Sequence, residues 1–277
     1  MQISKSIDTI LGEVDDISFL HDNADDRLIS KIMNVPNLQC LANSLLSQSA
    51  QTCRESAIVN LIQSAKNLDI DVSNWTKTLP ATWSYTITTS INIFPDSNFP
   101  RPEFIPSQIH RYRDIYTARV WNLYRVSRLI LQSIILRSAS WLLTKLALSH
   151  QDTDATSAKR NSEDLVNGIC ASVPFLLGHD SSKMKLPISK DFSEQEMLWP
   201  QTATEKASTS AQTGRYSLIW PLYIASSVPS ISDSSREWMR LQLRRIGESG
   251  EPLAILLATS ESQTLSGGAE NLRFDCI

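Results

Sequence analysis

Between Pro106 and Gly168 the sequence contains neither proline nor glycine, so nothing in the local backbone chemistry interrupts a helix there. The apolar part of that run, residues 109–148, reads IHRYRDIYTARVWNLYRVSRLILQSIILRSASWLLTKLAL. As one helix of about 40 residues rising about 1.5 Å each, it spans roughly 60 Å, enough to be the spine of a fold. Tyr116, Val120, Leu123, Ile130, Ile134 and Trp141 fall on one arc of its wheel, while Leu129, Leu136 and Leu143 repeat every seven residues on another. Two apolar stripes require neighbours on two sides. Arg111, Arg125 and Arg128 lie outside the main arc, where their stems can cover apolar surface while the charged heads stay in water. The expected fold is therefore all-α, a single helical domain over residues 1–277 with antiparallel helices stacked around one long central helix.

A chain of 277 residues, 42% hydrophobic and 20% charged, can bury a sizeable core without disulfides. A formal net charge of −3 and a pI near 5.8 give no general attraction to a polyanion, so direct nucleic-acid binding by this chain is not expected. Its four cysteines, Cys40, Cys53, Cys170 and Cys276, form no CxxC-type pair, and His21, His110, His150 and His179 are equally scattered. Zinc needs ligands at short paired spacing, so no metal site is expected and the cysteines read as small apolar residues in a reducing compartment. The N-terminus lacks the basic and apolar regions of a signal peptide. Arg125, Arg128, Arg137 and Lys145 break the spine, so no membrane span is expected and the sequence reads as soluble and intracellular.

Taken in order, residues 3–20 carry Ile3, Ile7, Ile10, Leu11 and Val14 at helical spacing, and an acidic turn follows at residues 21–26. Asp25 and Asp26 suit the first turn of the next helix, and the apolar period from Leu28 to Leu46 is interrupted at Pro36. Ala57, Ile58, Leu61, Ile62, Ala65 and Leu68 make residues 54–68 an amphipathic helix, with Pro80 fixing the bend between it and the segment from Trp75 to Trp83. Residues 84–107 begin β-branched, but Pro95, Pro100, Pro102 and Pro106 argue for an irregular connector with at most a short extended piece. Residues 149–164 are polar, a surface loop or a helix start; the helix over residues 164–173 is closed by Pro174 and Gly178. Residues 179–213, rich in Ser, Thr, Gln and charge, read as a mobile surface insertion. Residues 214–228 form an apolar helix kinked near Pro221. Ser234 and Glu237 fit a capping box for a helix over residues 235–246 that Gly247 and Gly250 end, and residues 253–258 form a last apolar piece.

Little in the sequence points to catalysis. GxSxG, HExxH, GxxxxGK[ST] and strand-linked GxGxxG motifs are all absent. Asp15, Asp16, Asp22, Asp25 and Asp26 could hold magnesium for a prenyl diphosphate, but that chemistry needs a second ligand set on a facing helix, and none appears. Solvated acidic helix starts are the plainer reading. Cys170 lies in an apolar helix and reads as packing. The spine arginines, Arg111, Arg113, Arg119, Arg125, Arg128 and Arg137, read as partners of acidic groups on neighbouring helices or as a solvated face, and the seven tryptophans as core anchors. No catalytic, cofactor-binding or metal-ligating residue is expected, and no cofactor.

Tyr112, Arg113 and Asp114 followed by WNLYR at 121–125 and then Arg128 resemble the central helix of the regulatory region in fungal transcription factors of the binuclear zinc-cluster class. Three further stretches resemble that family in its order: WTKTLPATW at 75–83, ICASVPFLLG at 169–178, and GRYSLIWPLYIA at 214–225 with Arg236, Trp238, Leu243, Ile246 and Gly247 behind it. The ordered set covers most of residues 55–258. It implies a non-enzymatic, nuclear regulator of RNA polymerase II transcription, answering to protein partners of the transcription machinery or to a small-molecule effector, with a homodimer left open. The six-cysteine DNA-reading module of that family is not among these residues. An all-α enzyme acting on prenyl diphosphates and a generic helical interaction scaffold remain as alternatives.

Overall fold

The computed structural model describes residues 24–47, 54–90, 106–146, 153–178 and 209–260, together with Leu265. Helices dominate them: α1 Ala24–Ile32, α2 Val35–Ser47, α3 Arg54–Asn74, α4 Ile115–Leu146, α5 Thr153–Leu176, α6 Thr209–Ser226, α7 Asp233–Glu248 and α8 Pro252–Thr259. The exceptions are two 3-10 turns, Trp75–Thr78 and Ala81–Trp83, and two short strands, β1 Thr86–Ser90 and β2 Gln108–Arg111. The all-α expectation holds.

The spine is α4. Packed against α2, α3, α5 and α6, it is buried around most of its circumference between Thr117 and Ile135. Val120, Ile130, Ile134 and Leu129 are buried, Leu123, Leu136, Leu143 and Trp141 are half-buried, and Tyr116 is exposed. Both stripes therefore find neighbours. By length and composition the window Ile115–Thr144 could cross a bilayer, but 61% of it is buried against the rest of the fold, as in a core helix. From it the core continues outward, with α5 against α6, α6 against α7, and α7 against α8.

The helix starts later than its apolar pattern. Residues 108–111 are strand β2, antiparallel to β1 with Thr86 opposite Arg111 and Ser90 opposite Gln108, so the connector expected over residues 84–107 opens with a real strand. Asp114 sets the boundary: its Oδ1 accepts the Thr117 backbone N–H at 2.7 Å, the geometry of an N-cap. The hydrogen bonds around Asp114 and the Arg113 guanidinium outweigh its partial burial and hold its pKa below the ordinary carboxylate value.

Other boundaries follow local chemistry. Asp25 and Asp26 do occupy the first turn of α1. Pro36 sits at the second position of α2, where no backbone donor is needed. Pro80 is extended, at φ −63° and ψ 158°, and lies between the two 3-10 turns, inside the Trp75–Trp83 segment and not between it and α3, which runs on to Asn74. α5 begins at Thr153, so the polar residues after 152 are helix, and it continues through Pro174 before Gly178, at φ 77°, closes it. α6 begins at Thr209 and runs through Pro221. The cap of α7 is Ser232, not Ser234: Ser232 Oγ accepts the Ser235 N–H at 3.2 Å. α7 also passes through Gly247, because a Cβ there would overlap the Ile255 side chain of α8; the glycine permits a close helix crossing and does not end the helix. Gly214 plays the same part between α6 and α5, where a Cβ would overlap the Leu176 carbonyl oxygen. The helix expected over residues 3–20 and nearly all of the insertion expected over residues 179–213 lie outside the described residues.

Candidate functional site

Trp121, Tyr124, Arg125 and Arg128 stand at i, i+3, i+4 and i+7 on α4 and share one face of it. The sequence leaves these arginines between wet heads on a solvated face and pairing with acidic groups on neighbouring helices. Both are withdrawn from water: Arg125 is 3% exposed, and Arg128 is largely enclosed and paired with a neighbouring helix. A buried guanidinium must find acceptors or a counter-charge, and the two arginines solve this differently.

Arg128 takes a carboxylate. Its Nε donates to Asp69 Oδ1 at 2.7 Å and its Nη2 to Oδ2 at 2.9 Å, a side-on fork, while Nη1 donates to the Tyr124 hydroxyl at 2.8 Å. Burial alone would lower the pKa of Arg128, but Asp69 more than reverses this and raises it. The pair joins α3 to α4 inside the core. Lys66 and Asp154, 2.7 Å apart, join α3 to α5 closer to solvent, with side chains 38% and 35% exposed.

Arg125 takes neutral partners. Nη1 donates to the Tyr112 hydroxyl and to Asn122 Oδ1, both at 2.8 Å, and Nη2 approaches His110 Nδ1 at 3.4 Å. Since a guanidinium only donates, His110 Nδ1 accepts and the imidazole carries its proton on Nε2. The rings of Tyr85, Trp121 and Tyr112 lie 5.4, 5.4 and 5.9 Å from the guanidinium carbon, offering it their negative faces. Asn122 passes the network on to Ser172 of α5 at 2.9 Å. Gly168 of α5 makes room for it, since a Cβ there would sit 2.8 Å from Arg125 Nε.

Aromatic packing surrounds this polar centre. Tyr85 stacks on His110 at 4.1 Å, Trp75 packs on Trp121 and Tyr124 at 5.3 Å each, and the Trp121 and Trp75 indoles donate to the carbonyls of Trp83 and Ala24. The stretches 75–83, 112–128 and 169–178 thus converge on one cluster, whereas 214–225 belongs to α6, which packs against α4, α5 and α7. Sequence reasoning missed Asp69, His110 and Tyr85. Asp69 was visible in principle, because it continues the buried face of Ile58, Leu61, Ile62, Ala65 and Val72, and a carboxylate on an apolar arc calls for a buried cation.

The cluster holds no proton-transfer pair. Burial and the nearby Arg125 charge lower the pKa of His110 to about 3, so the imidazole is neutral. Burial raises Tyr112, with Arg125 partly opposing it. Cys170, the buried thiol of α5, is pushed up to about 12 by burial and is no nucleophile. Of the acidic residues weighed for magnesium, Asp25 accepts a hydrogen bond from Tyr116, and Asp15, Asp16 and Asp22 lie outside the described residues. Among the described residues no three His, Cys, Asp or Glu side chains gather to hold a metal ion. What the arrangement does is fix β2, α3, α4 and α5 in one register.

The chain is similar to a fungal transcription factor. Transcription factor dbaG of Emericella nidulans is 29% identical to it over 181 residues, 65% of this chain. The chain spans about 39% of that protein's length. No protein-family model matches the chain, and no solved structure does.

Two predictions follow from the cluster's energetics. Asp69→Ala leaves the Arg128 charge buried without its counter-ion and should cost about 3 to 5 kcal/mol in urea unfolding, against about 1 kcal/mol or less for Lys66→Ala. Equal costs would contradict the assigned roles. His110 folds neutral, so between pH 6.5 and about 3 the unfolded chain binds the extra proton: its stabilisation is complete above pH 6.5 and is lost as pH falls through that window. Wild type should therefore lose up to about 1.4 kcal/mol more per pH unit between pH 6 and 5 than His110→Asn, which keeps an acceptor but cannot titrate. Parallel pH profiles of unfolding free energy would contradict it.

Proposed function

We propose that this chain is the regulatory, effector-responsive part of a fungal transcription factor of the zinc-cluster class, acting in the nucleus on RNA polymerase II transcription and not as an enzyme. The similarity to transcription factor dbaG over 181 residues carries the reading. The helical fold and the ordered stretches around Trp75, Trp121 and Ser172 agree with it. Four cysteines cannot make a six-cysteine zinc module, and a net charge of −3 gives no general attraction to a polyanion, so the reading assigns DNA recognition to another module or partner. The prenyl diphosphate alternative gains nothing from Asp25, which is engaged by Tyr116.

A regulatory output requires two packings of the helices that a ligand or protein partner binds unequally, since equal affinity shifts nothing. The contact of α4 with α6 is the proposed moving part: Pro221, buried within α6, removes one backbone donor and weakens that helix at its middle. The test is a fusion of the full chain to an unrelated DNA-binding module driving a reporter. The fusion should change reporter output relative to the module alone, Pro221→Ala should alter that change while the protein still folds, and Ile130→Asp should abolish it by placing a carboxylate in the core at a cost of several kcal/mol. Output equal to that of the bare module under every condition would remove the regulatory reading, and an unaltered Pro221→Ala response would remove the hinge.

A further inference from the structure

A third guanidinium on the spine is left incomplete. Arg137, about two and a half turns beyond Arg128 on α4, donates from Nη1 to Asn43 Oδ1 of α2 at 2.9 Å. Its Nε and Nη2 are sealed from solvent and have no hydrogen-bond partner among the described residues. Burial lowers its pKa, with no opposing charge among the causes.

Nε and Nη2 form one edge of the guanidinium, with two N–H bonds pointing the same way. The same edge of Arg128 is filled by the two oxygens of Asp69, at 2.7 and 2.9 Å. In Arg137 that edge is empty of any acceptor. Orphaned donors on a buried cation are costly, and the geometry of this edge matches two coplanar oxygens better than one point acceptor.

We propose that Arg137 is the receptor for the carboxylate of a small-molecule ligand, held side-on by Nε and Nη2 between α2 and α4. The covering element is lightly anchored: α2 buries only Val35 and Ala42 fully, while Leu38, Leu45 and Leu46 are half-buried. Lifting α2 admits a small acid to the guanidinium, whereas a protein side chain would need the helix displaced altogether. The ligand binds the lifted arrangement and biases the packing of α2 on the spine. This names an effector class for the regulatory reading and rests on that reading for the word effector alone, since binding is measured on the purified chain.

The full chain, Arg137→Met and Arg137→Lys are melted in sodium acetate and in sodium chloride at equal ionic strength. The gain in melting temperature from acetate over chloride should be larger in wild type than in Arg137→Met, by on the order of 3 °C at ten times Kd. Arg137→Lys keeps the charge and loses the two-pronged edge, and should lose most of that excess. Equal gains in wild type and Arg137→Met overturn the proposal. If Arg137→Met does not fold, an undiminished gain in Arg137→Lys overturns it instead. Inorganic phosphate serves as a third salt, and an Arg137-dependent gain with phosphate but none with acetate overturns the carboxylate assignment. Because no reporter enters the measurement, its failure leaves the regulatory reading standing, and failure of the reporter fusion leaves this binding site standing.

Discussion

A guanidinium cannot be moved out of water without either a counter-charge or a set of fixed dipoles, and the fold of this chain depends on how α4 meets that demand. A helix apolar enough to be buried on most sides would be indifferent to rotation and sliding among its neighbours if it carried only Leu and Ile. Arg125 and Arg128 remove that freedom. Arg128 can be buried only where α3 presents Asp69, and Arg125 only where β2 brings His110, with Tyr112 just after the strand, and α5 brings Gly168 and Ser172. The polar network is a device of register, and the aromatic shell of Trp75, Trp83, Trp121 and Tyr85 gives the apolar burial that offsets its desolvation.

Much of this was legible in the sequence. The proline- and glycine-free run gave the spine, and the acidic pair at 25 and 26 gave the start of α1. What escaped was tertiary. The residues from 108 to 111 fit a helical wheel, yet they pair with β1 because Asp114 caps the helix after them, and a cap competes locally with a pattern that extends past it. Gly247 looked like a stop and is a crossing point, since its meaning lies in Ile255 of another helix. Pairing of the arginines with neighbouring helices was one of two readings, and the partners themselves stayed hidden because Asp69 is distant in sequence from Arg128 and His110 lies in a strand not foreseen.

The same logic separates the two halves of the spine. In its first half both buried arginines, Arg125 and Arg128, are satisfied and serve to hold strands and helices in place. Its second half carries Arg137 under a thinly buried α2, and a helix held by few side chains over an unsatisfied cation is the kind of contact that a ligand can shift at small cost. A rigid cluster beside a movable cover is a workable plan for a regulator: the first gives the fold a fixed reference, and the second gives it a second state.

Among the described residues the polar-aromatic cluster on α4 should be the most stable part of the fold, and amide hydrogen exchange resolved by residue measures this. Amides of residues 121–132 should exchange only through global unfolding and be the slowest among the described residues, with α2 opening well before them. Exchange of residues 121–132 through local opening, at rates equal to or faster than those of α2, would contradict it.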